Sequence, residues 1–275
     1  MENLHSGAMV SVLEQVQHHH VMHCLEGLLP PIINVHQLKQ VLDVNCHGGT
    51  WAVELTLAYP RVMVTGLDSD PEAIEIARHK AMTAKLQRVR FYEANLGVPL
   101  KLQDETFDLI HLFTSQPLFH PNEWPHFLHE CKRVLKPTGV INLVNVTLGP
   151  GSSHAYQRFC MLIDQLWRAM GYGFSDKPGT ATPGVYFVRM LNEAGFNKSS
   201  YDIRPINLGG RNNPGGKACY QLFLKNLLKT RKPLIQYKLI SGDEFDALMA
   251  QIEKDILEAD FCAMAALISA FAVKR

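Results

Sequence analysis

The sequence predicts an α/β fold: a doubly wound, mostly parallel sheet of seven strands with helices on both faces. Three observations carry this. Short β-branched apolar runs recur between residues 40 and 146, separated by segments of helical periodicity. Several of these runs close on an acid or a turn, as at Asp43 and Asp68. The chain has 275 residues, 47% of them hydrophobic and 19% charged, enough for one well-buried core with roughly 70 residues left for elaboration.

The elements follow in order. Residues 9–28 read as an amphipathic helix that stops at Pro30-Pro31. Gln40 to Val44 is a short buried strand, residues 45–49 a turn, and Trp51, Ala52, Leu55 and Ala58 one face of a helix. Arg61 to Leu67 is a second strand, and Pro71 opens the next helix, where its missing N–H costs nothing. Val89 to Glu93, Phe107 to Phe113 and Val140 to Val146 are strands three to five. Beyond them, 155–171 and 185–195 read as helices around a Gly/Pro-rich loop at 173–184. Tyr201 to Leu208 suggests a strand, 217–231 and 243–258 helices, and Phe261 to Val273 a final strand. No internal repeat or composition break divides the chain. The expectation is one domain over 1–275: a helical cap at 1–38, a ligand-binding core at 39–150, and a substrate-side insertion with the closing strands at 151–275.

Charge and composition narrow the partners. A net charge of +1 gives no field toward nucleic acid or an anionic membrane. No apolar run reaches the length of a membrane span, and the first 30 residues lack a secretory pattern. Six scattered cysteines read as reduced thiols, so a cytoplasmic protein is expected. The last apolar strand, Phe261 to Phe271, is either sheet interior or the edge of a homodimer.

The chemistry concentrates in two stretches. Val41-Leu42-Asp43-Val44 leads into Asn45-Cys46-His47-Gly48-Gly49, and Val64-Thr65-Gly66-Leu67 ends on Asp68. A strand-end acid, a tight turn and a second acid further on resemble a nucleotide-binding βαβ unit. A dinucleotide would set its pyrophosphate on the first turn, where Asp43 repels it. S-adenosylmethionine instead brings an ammonium and a sulfonium there, which an aspartate attracts. Asp68 suits ribose hydroxyls in either ligand.

Further stretches extend the pattern: VTGLDSDPEAIEIAR, VRFYEANLGVPLKLQDETFDLIH and EWPHFLHECKRVLKPTGVINLV. With them the chain resembles the class I S-adenosylmethionine-dependent methyltransferases, particularly the small-molecule group of secondary metabolism, over roughly residues 10–150. Lys136-Pro137-Thr138-Gly139 before a strand is the most diagnostic segment. The resemblance implies a Rossmann-like fold with an N-terminal helical lid near Gln15 and His18. It also implies S-adenosylmethionine as cofactor, and methyl transfer to a small molecule by in-line displacement. Position by position, Asp43 with the turn at Asn45, His47 and Gly49 would surround the methionyl part. Asp68 would hold the ribose and Ser69 flank the adenine. The Asn95 side-chain oxygen and the Leu96 N–H would meet the adenine edge, and Leu112, placed after the fourth strand, would offer its carbonyl to the ammonium.

One departure stands out. The family turn carries three glycines where this chain has Asn45, His47 and Gly49. Asparagine and histidine tolerate positive φ, so the turn can survive, but a Cβ at position 47 occupies space normally given to the cofactor. Either the pocket shifts and binding weakens, or binding is lost. The alternative function is therefore a non-catalytic or repurposed member of the same fold.

Other residues are weighed against structural roles. His19 and His23 share a helix face without any accompanying zinc pattern, so no metal is expected. His120, beyond the fourth strand, is a candidate general base. Trp167, Tyr172, Phe174 and Tyr186 flank the Gly/Pro loop where substrate is read in this layout, although each also suits ordinary packing. No Asn-Pro-Pro-Tyr motif follows the fourth strand, which disfavours nucleic-acid or glutamine methylation. Methyl transfer from a sulfonium needs alignment more than a catalytic motif.

Overall fold

The computed structural model describes residues 29, 32–97, 99–114, 117–175, 182–208, 228–258 and 260–275. The expected helix at 9–28, with Gln15, His18, His19 and His23, lies outside the described residues, as does most of 217–231.

Strands β1 (Gln40–Val44), β2 (Met63–Asp68), β3 (Val89–Glu93), β4 (Phe107–Thr114), β5 (Leu135–Gly151), β6 (Asn197–Asn207) and β7 (Ala263–Val273) form one sheet in the order β3-β2-β1-β4-β5-β7-β6. The first five run parallel, and β7 pairs antiparallel with both β5 and β6. The order reverses between β2-β1 and β4-β5, and at such a switch point the loops leave the carboxyl edge on opposite faces and open a crevice.

Strand alternation sorts the core. Leu42, Val44, Ile110 and Leu112 face helix α3 (Trp124–Val134) and helix α5 (Phe187–Glu193), with Trp124, Phe127, Leu128 and Phe187. Val41, Val64 and Leu109 face α1 (Thr50–Ala58) and α2 (Pro71–Thr83), with Trp51, Leu55, Ile74 and Ala77. Asp70 caps α2 by accepting the Glu72 N–H at 2.9 Å, and Pro71 occupies the first turn as the sequence predicts.

The largest difference from expectation is β5. It begins at Leu135 instead of Val140, passing through the Lys-Pro-Thr-Gly segment with Thr138 at φ 65°. It also continues to Gly151, well past the line Val44–Leu112–Leu143 where β1 ends. Periodicity did not reveal this, because the extension reads Thr147-Leu148-Gly149-Pro150-Gly151 and is specified only by its pairing with β7.

Helix α4 (His154–Ala169), α6 (Arg231–Gln236) and α7 (Gly242–Ile256) build a separate apolar cluster around Phe159, Leu166, Leu234, Phe245 and Ile252. Helix α4 starts directly after the end of β5. Just past its last turn, Gly171 meets His120, which follows β4. Both ends of α4 are thus tied to the carboxyl edge of the sheet, and the cluster caps that edge. Ser241 and Glu244 form a reciprocal capping box on α7.

Candidate functional site

The turn between β1 and α1 keeps the backbone that three glycines would give. Asn45, His47 and Gly49 all sit at positive φ, at 58°, 48° and 71°. Gly49 is required for a reason besides its φ. A Cβ there would lie 2.7 Å from the Ala77 Cβ and 2.7 Å from the Phe91 ring, so only glycine lets the turn rest on α2 and β3.

The side chains at 45 and 47 are bonded into the site. Asn45 Nδ2 donates to the Phe113 carbonyl at 3.0 Å and to His47 Nε2 at 3.0 Å. An Nε2 that accepts leaves the ring proton on Nδ1, which lies 4.0 Å from Asp68 Oδ2. The His47 backbone N–H donates to the same Asp68 oxygen at 2.8 Å, and the Asp70 N–H to Asp68 Oδ1 at 2.9 Å. Asp68 is therefore buried and oriented by two backbone donors.

Asp43 is the electrostatic focus. It is 2% exposed, and its Oδ2 has no hydrogen-bond partner. Burial, and secondarily the nearby charge of Asp68, push its carboxyl well above the ordinary range. The Cys46 thiol beside it is raised by burial and by the same two acids. Asp43 and Asp68 are two buried carboxyls close together, and a positively charged ligand would complete such a site.

Sequence reasoning missed the row beside Asp43. In register with it on β4 is His111, and in register with that on β5 is Asn142. All three lie on the face covered by α1. Asn142 Nδ2 approaches His111 Nδ1 at 3.3 Å, Ser269 Oγ donates to Asn142 Oδ1 at 2.8 Å, and Trp51 stacks on the His111 ring at 3.9 Å. The signal was present: a histidine and an asparagine interrupt the otherwise apolar runs Leu109–Phe113 and Val140–Val146.

Other expectations meet mixed outcomes. Ser69 follows Asp68 and is exposed; Leu96 is buried. Asn95 is exposed, and its Oδ1 accepts the Gly97 N–H at 2.9 Å, so that oxygen is already engaged in the loop. Leu112 needs correction. It lies inside β4, paired with Val44 and Leu143, because the strand runs on to Thr114. The carbonyl nearer the strand end that meets the turn belongs to Phe113, and Asn45 binds it.

The aromatic candidates separate into two groups. His120 stacks on Tyr172 at 4.3 Å and 2°, with Trp167 edge-on to Tyr172. Phe174 stacks on Tyr186 at 4.6 Å, against the α3/α5 core. His120 Nδ1 is 3.1 Å from the Gly171 carbonyl, an acceptor only, which fixes Nδ1 as the protonated nitrogen and Nε2 as the basic one. His126 and His129 are exposed on α3.

Residues 41–139 match the family described as a methyltransferase domain. Similar sequences include the demethylmenaquinone methyltransferase of Listeria monocytogenes, 27% identical over 180 residues, or 62% of this chain and 75% of that protein. Another is the 27-O-demethylrifamycin SV methyltransferase of Amycolatopsis mediterranei, 29% identical over 127 residues, covering 46% and 44%. The solved structure of the YcgJ protein from Bacillus subtilis is 18% identical with a TM-score of 0.54, covering 94% of this chain and 99% of that one. At that identity the likeness concerns the fold. Domain match, sheet order and relatives point the same way: residues 41–139 match a methyltransferase domain, and the sheet is similar to that of the solved methyltransferase-like folds.

Proposed function

We propose that this chain is a class I methyltransferase that binds S-adenosylmethionine at the β1–α1 turn and methylates a small-molecule acceptor. The carrying observation is Asp43, a buried carboxyl with an unpartnered oxygen at the switch point of the sheet. An ammonium or sulfonium suits that site; a phosphate does not. When bound, the cofactor supplies an activated methyl group for in-line displacement.

The residues of the chain do the rest. Asp43 and the turn at Asn45, His47 and Gly49 hold the methionyl end. Asp68, fixed by the His47 and Asp70 N–H groups, accepts from the ribose, while Ser69, Asn95 and the Leu96 N–H border the adenine. The acceptor enters under the α4/α6/α7 cap, beside Tyr172 and Trp167 on one side and Phe174 and Tyr186 on the other. His120 Nε2 takes the proton of a hydroxyl or amine nucleophile, its tautomer set by Gly171. The relatives named for demethylmenaquinone and demethylrifamycin support a small organic acceptor over a nucleic acid.

A second reading, a protein of this fold that no longer turns over, draws on the His47 imidazole beside Asp68. Calorimetric titration with S-adenosylmethionine and S-adenosylhomocysteine decides first: saturable binding is expected, and an absence of heat and of thermal shift sinks the proposal. Incubation with methyl-labelled cofactor and a metabolite panel then separates turnover from binding alone.

A further inference from the structure

The two edges of the sheet are finished differently. At the β3 edge the Arg78 guanidinium, on α2, donates to the Phe91 carbonyl through Nε at 3.1 Å and Nη2 at 3.0 Å. The other edge is β6, because β7 lies inside the sheet between β5 and β6. Next to β6, the Leu208 N–H donates to the Ala263 carbonyl at 2.8 Å. Antiparallel bonding alternates from there along the register, so Arg204 and Asp202 turn their backbone groups toward Leu267 and Ser269. Tyr201, Ile203 and Pro205 therefore turn theirs outward, and among the described residues nothing bonds the outward N–H and C=O of Ile203. The side chains of these three share one face of the sheet, where Ile203 is 59% and Tyr201 39% exposed, close to the exposed Met264 of β7. An open edge beside exposed apolar side chains is a template for another strand.

We propose that β6 is the interface of a homodimer, in which two copies of the chain pair antiparallel about a twofold axis at Ile203. The charges select both the partner and the register. Pairing centred on Ile203 sets Asp202 of each copy opposite Arg204 of the other, and Tyr201 opposite Pro205. Shifting the register by one step either way sets Asp202 against Asp202 or Arg204 against Arg204, and like charges directly opposite are destabilising. Asp202 and Arg204 already form an ion pair within the strand at 3.0 Å, so dimerisation joins two ion pairs into one group of alternating sign. On the other face Ile203 meets its own copy, while its N–H and C=O exchange hydrogen bonds across the axis. The Tyr201 N–H meets the Pro205 carbonyl of the second copy, and Pro205 costs the ladder one donor per strand. This interface does not depend on the cofactor reading.

The test is analytical ultracentrifugation of the full chain from about 1 μM to about 1 mM, with amide exchange followed at both ends of that range. A monomer–dimer equilibrium is expected, with the Tyr201 and Ile203 amides slowing as the dimer fills. Ile203→Lys, at an exposed position, is expected to keep the melting temperature of the dilute native chain. It should weaken association at least about tenfold, because it sets two ammonium groups at the axis. Asp202→Arg should weaken it as well, and Asp202→Arg combined with Arg204→Asp should restore it, since exchanging both signs preserves every pair. A chain that stays monomeric throughout, or a dimer that Ile203→Lys leaves intact, overturns the assignment. So does a dimer in which the Tyr201 and Ile203 amides exchange as in the monomer, or one that the double exchange fails to recover.

Discussion

Asp43 answers to two opposing demands. Without ligand, its buried carboxyl is held well above its usual range by desolvation and by Asp68, so the folded chain keeps a proton that the unfolded chain releases near pH 4. The sign follows: stability of the ligand-free protein falls as pH rises from that point, and levels off above the folded-state value. A cationic ligand reverses the preference, since only the ionised carboxylate pairs with it. Affinity for S-adenosylhomocysteine is therefore expected to rise with pH across the same window, with proton release visible as a dependence of binding heat on buffer ionisation enthalpy. Asp43→Asn should stabilise the ligand-free chain at neutral pH by ~1 kcal/mol while weakening binding at least tenfold. A variant that binds like the native chain would remove Asp43 from the site. At this scale the sequence was legible where a residue type carries its own constraint: Asp43 and Asp68 as acids at strand ends, Asn45 and His47 as residues tolerant of positive φ. It was illegible where a role depends on who reaches an atom first. The Asn95 oxygen is taken by Gly97, and the Phe113 carbonyl by Asn45.

The polar row from Asp43 belongs to no single element. His111 on β4, Asn142 on β5 and Ser269 on β7 come from separate strands, and Trp51 on α1 closes over the histidine. Each is buried, so each depends on its neighbour for hydrogen bonding. Asn142 is the middle member. Its replacement by alanine removes the acceptor of Ser269 and one contact of His111, and should cost ~1–3 kcal/mol in urea unfolding. Ser269→Ala removes only a terminal donor and should cost ~1 kcal/mol. In the double variant the second change should add little, because its partner is already gone. Strict additivity would show that the contacts are independent. Strand positions themselves were readable from apolar runs and their acidic or turn closures, and β3 at Val89–Glu93 matches its expected bounds. The ends of β5 were not, since they are set by pairing with β7 across more than a hundred residues of sequence.

Over the whole molecule, the division of labour follows the sheet order. Strands β1 to β3 end near one line, β4 runs on to Thr114, and β5 and β7 continue further as a paired wall beside the switch point. Onto that raised edge packs the cluster of α4, α6 and α7, whose apolar residues are shared among the three helices and not with α1 or α2. A cluster with its own core can loosen while the sheet stays intact. Phe245, fully buried at its centre, supplies the test. Phe245→Ala removes a side chain worth ~3–5 kcal/mol of local packing. Amide exchange is expected to accelerate in residues 154–169 and 242–256 and to remain slow in β1, β2 and β4. Affinity for S-adenosylhomocysteine should hold, because Asp43 and Asp68 stand on strands, and Asn45 on the turn after β1, outside the apolar cluster of the cap. Methyl transfer should fall, because His120 is held by Gly171, one turn beyond the loosened helix. If exchange instead accelerates in β1 and β4 as well, cap and sheet form one cooperative unit, and cofactor affinity should then fall together with turnover.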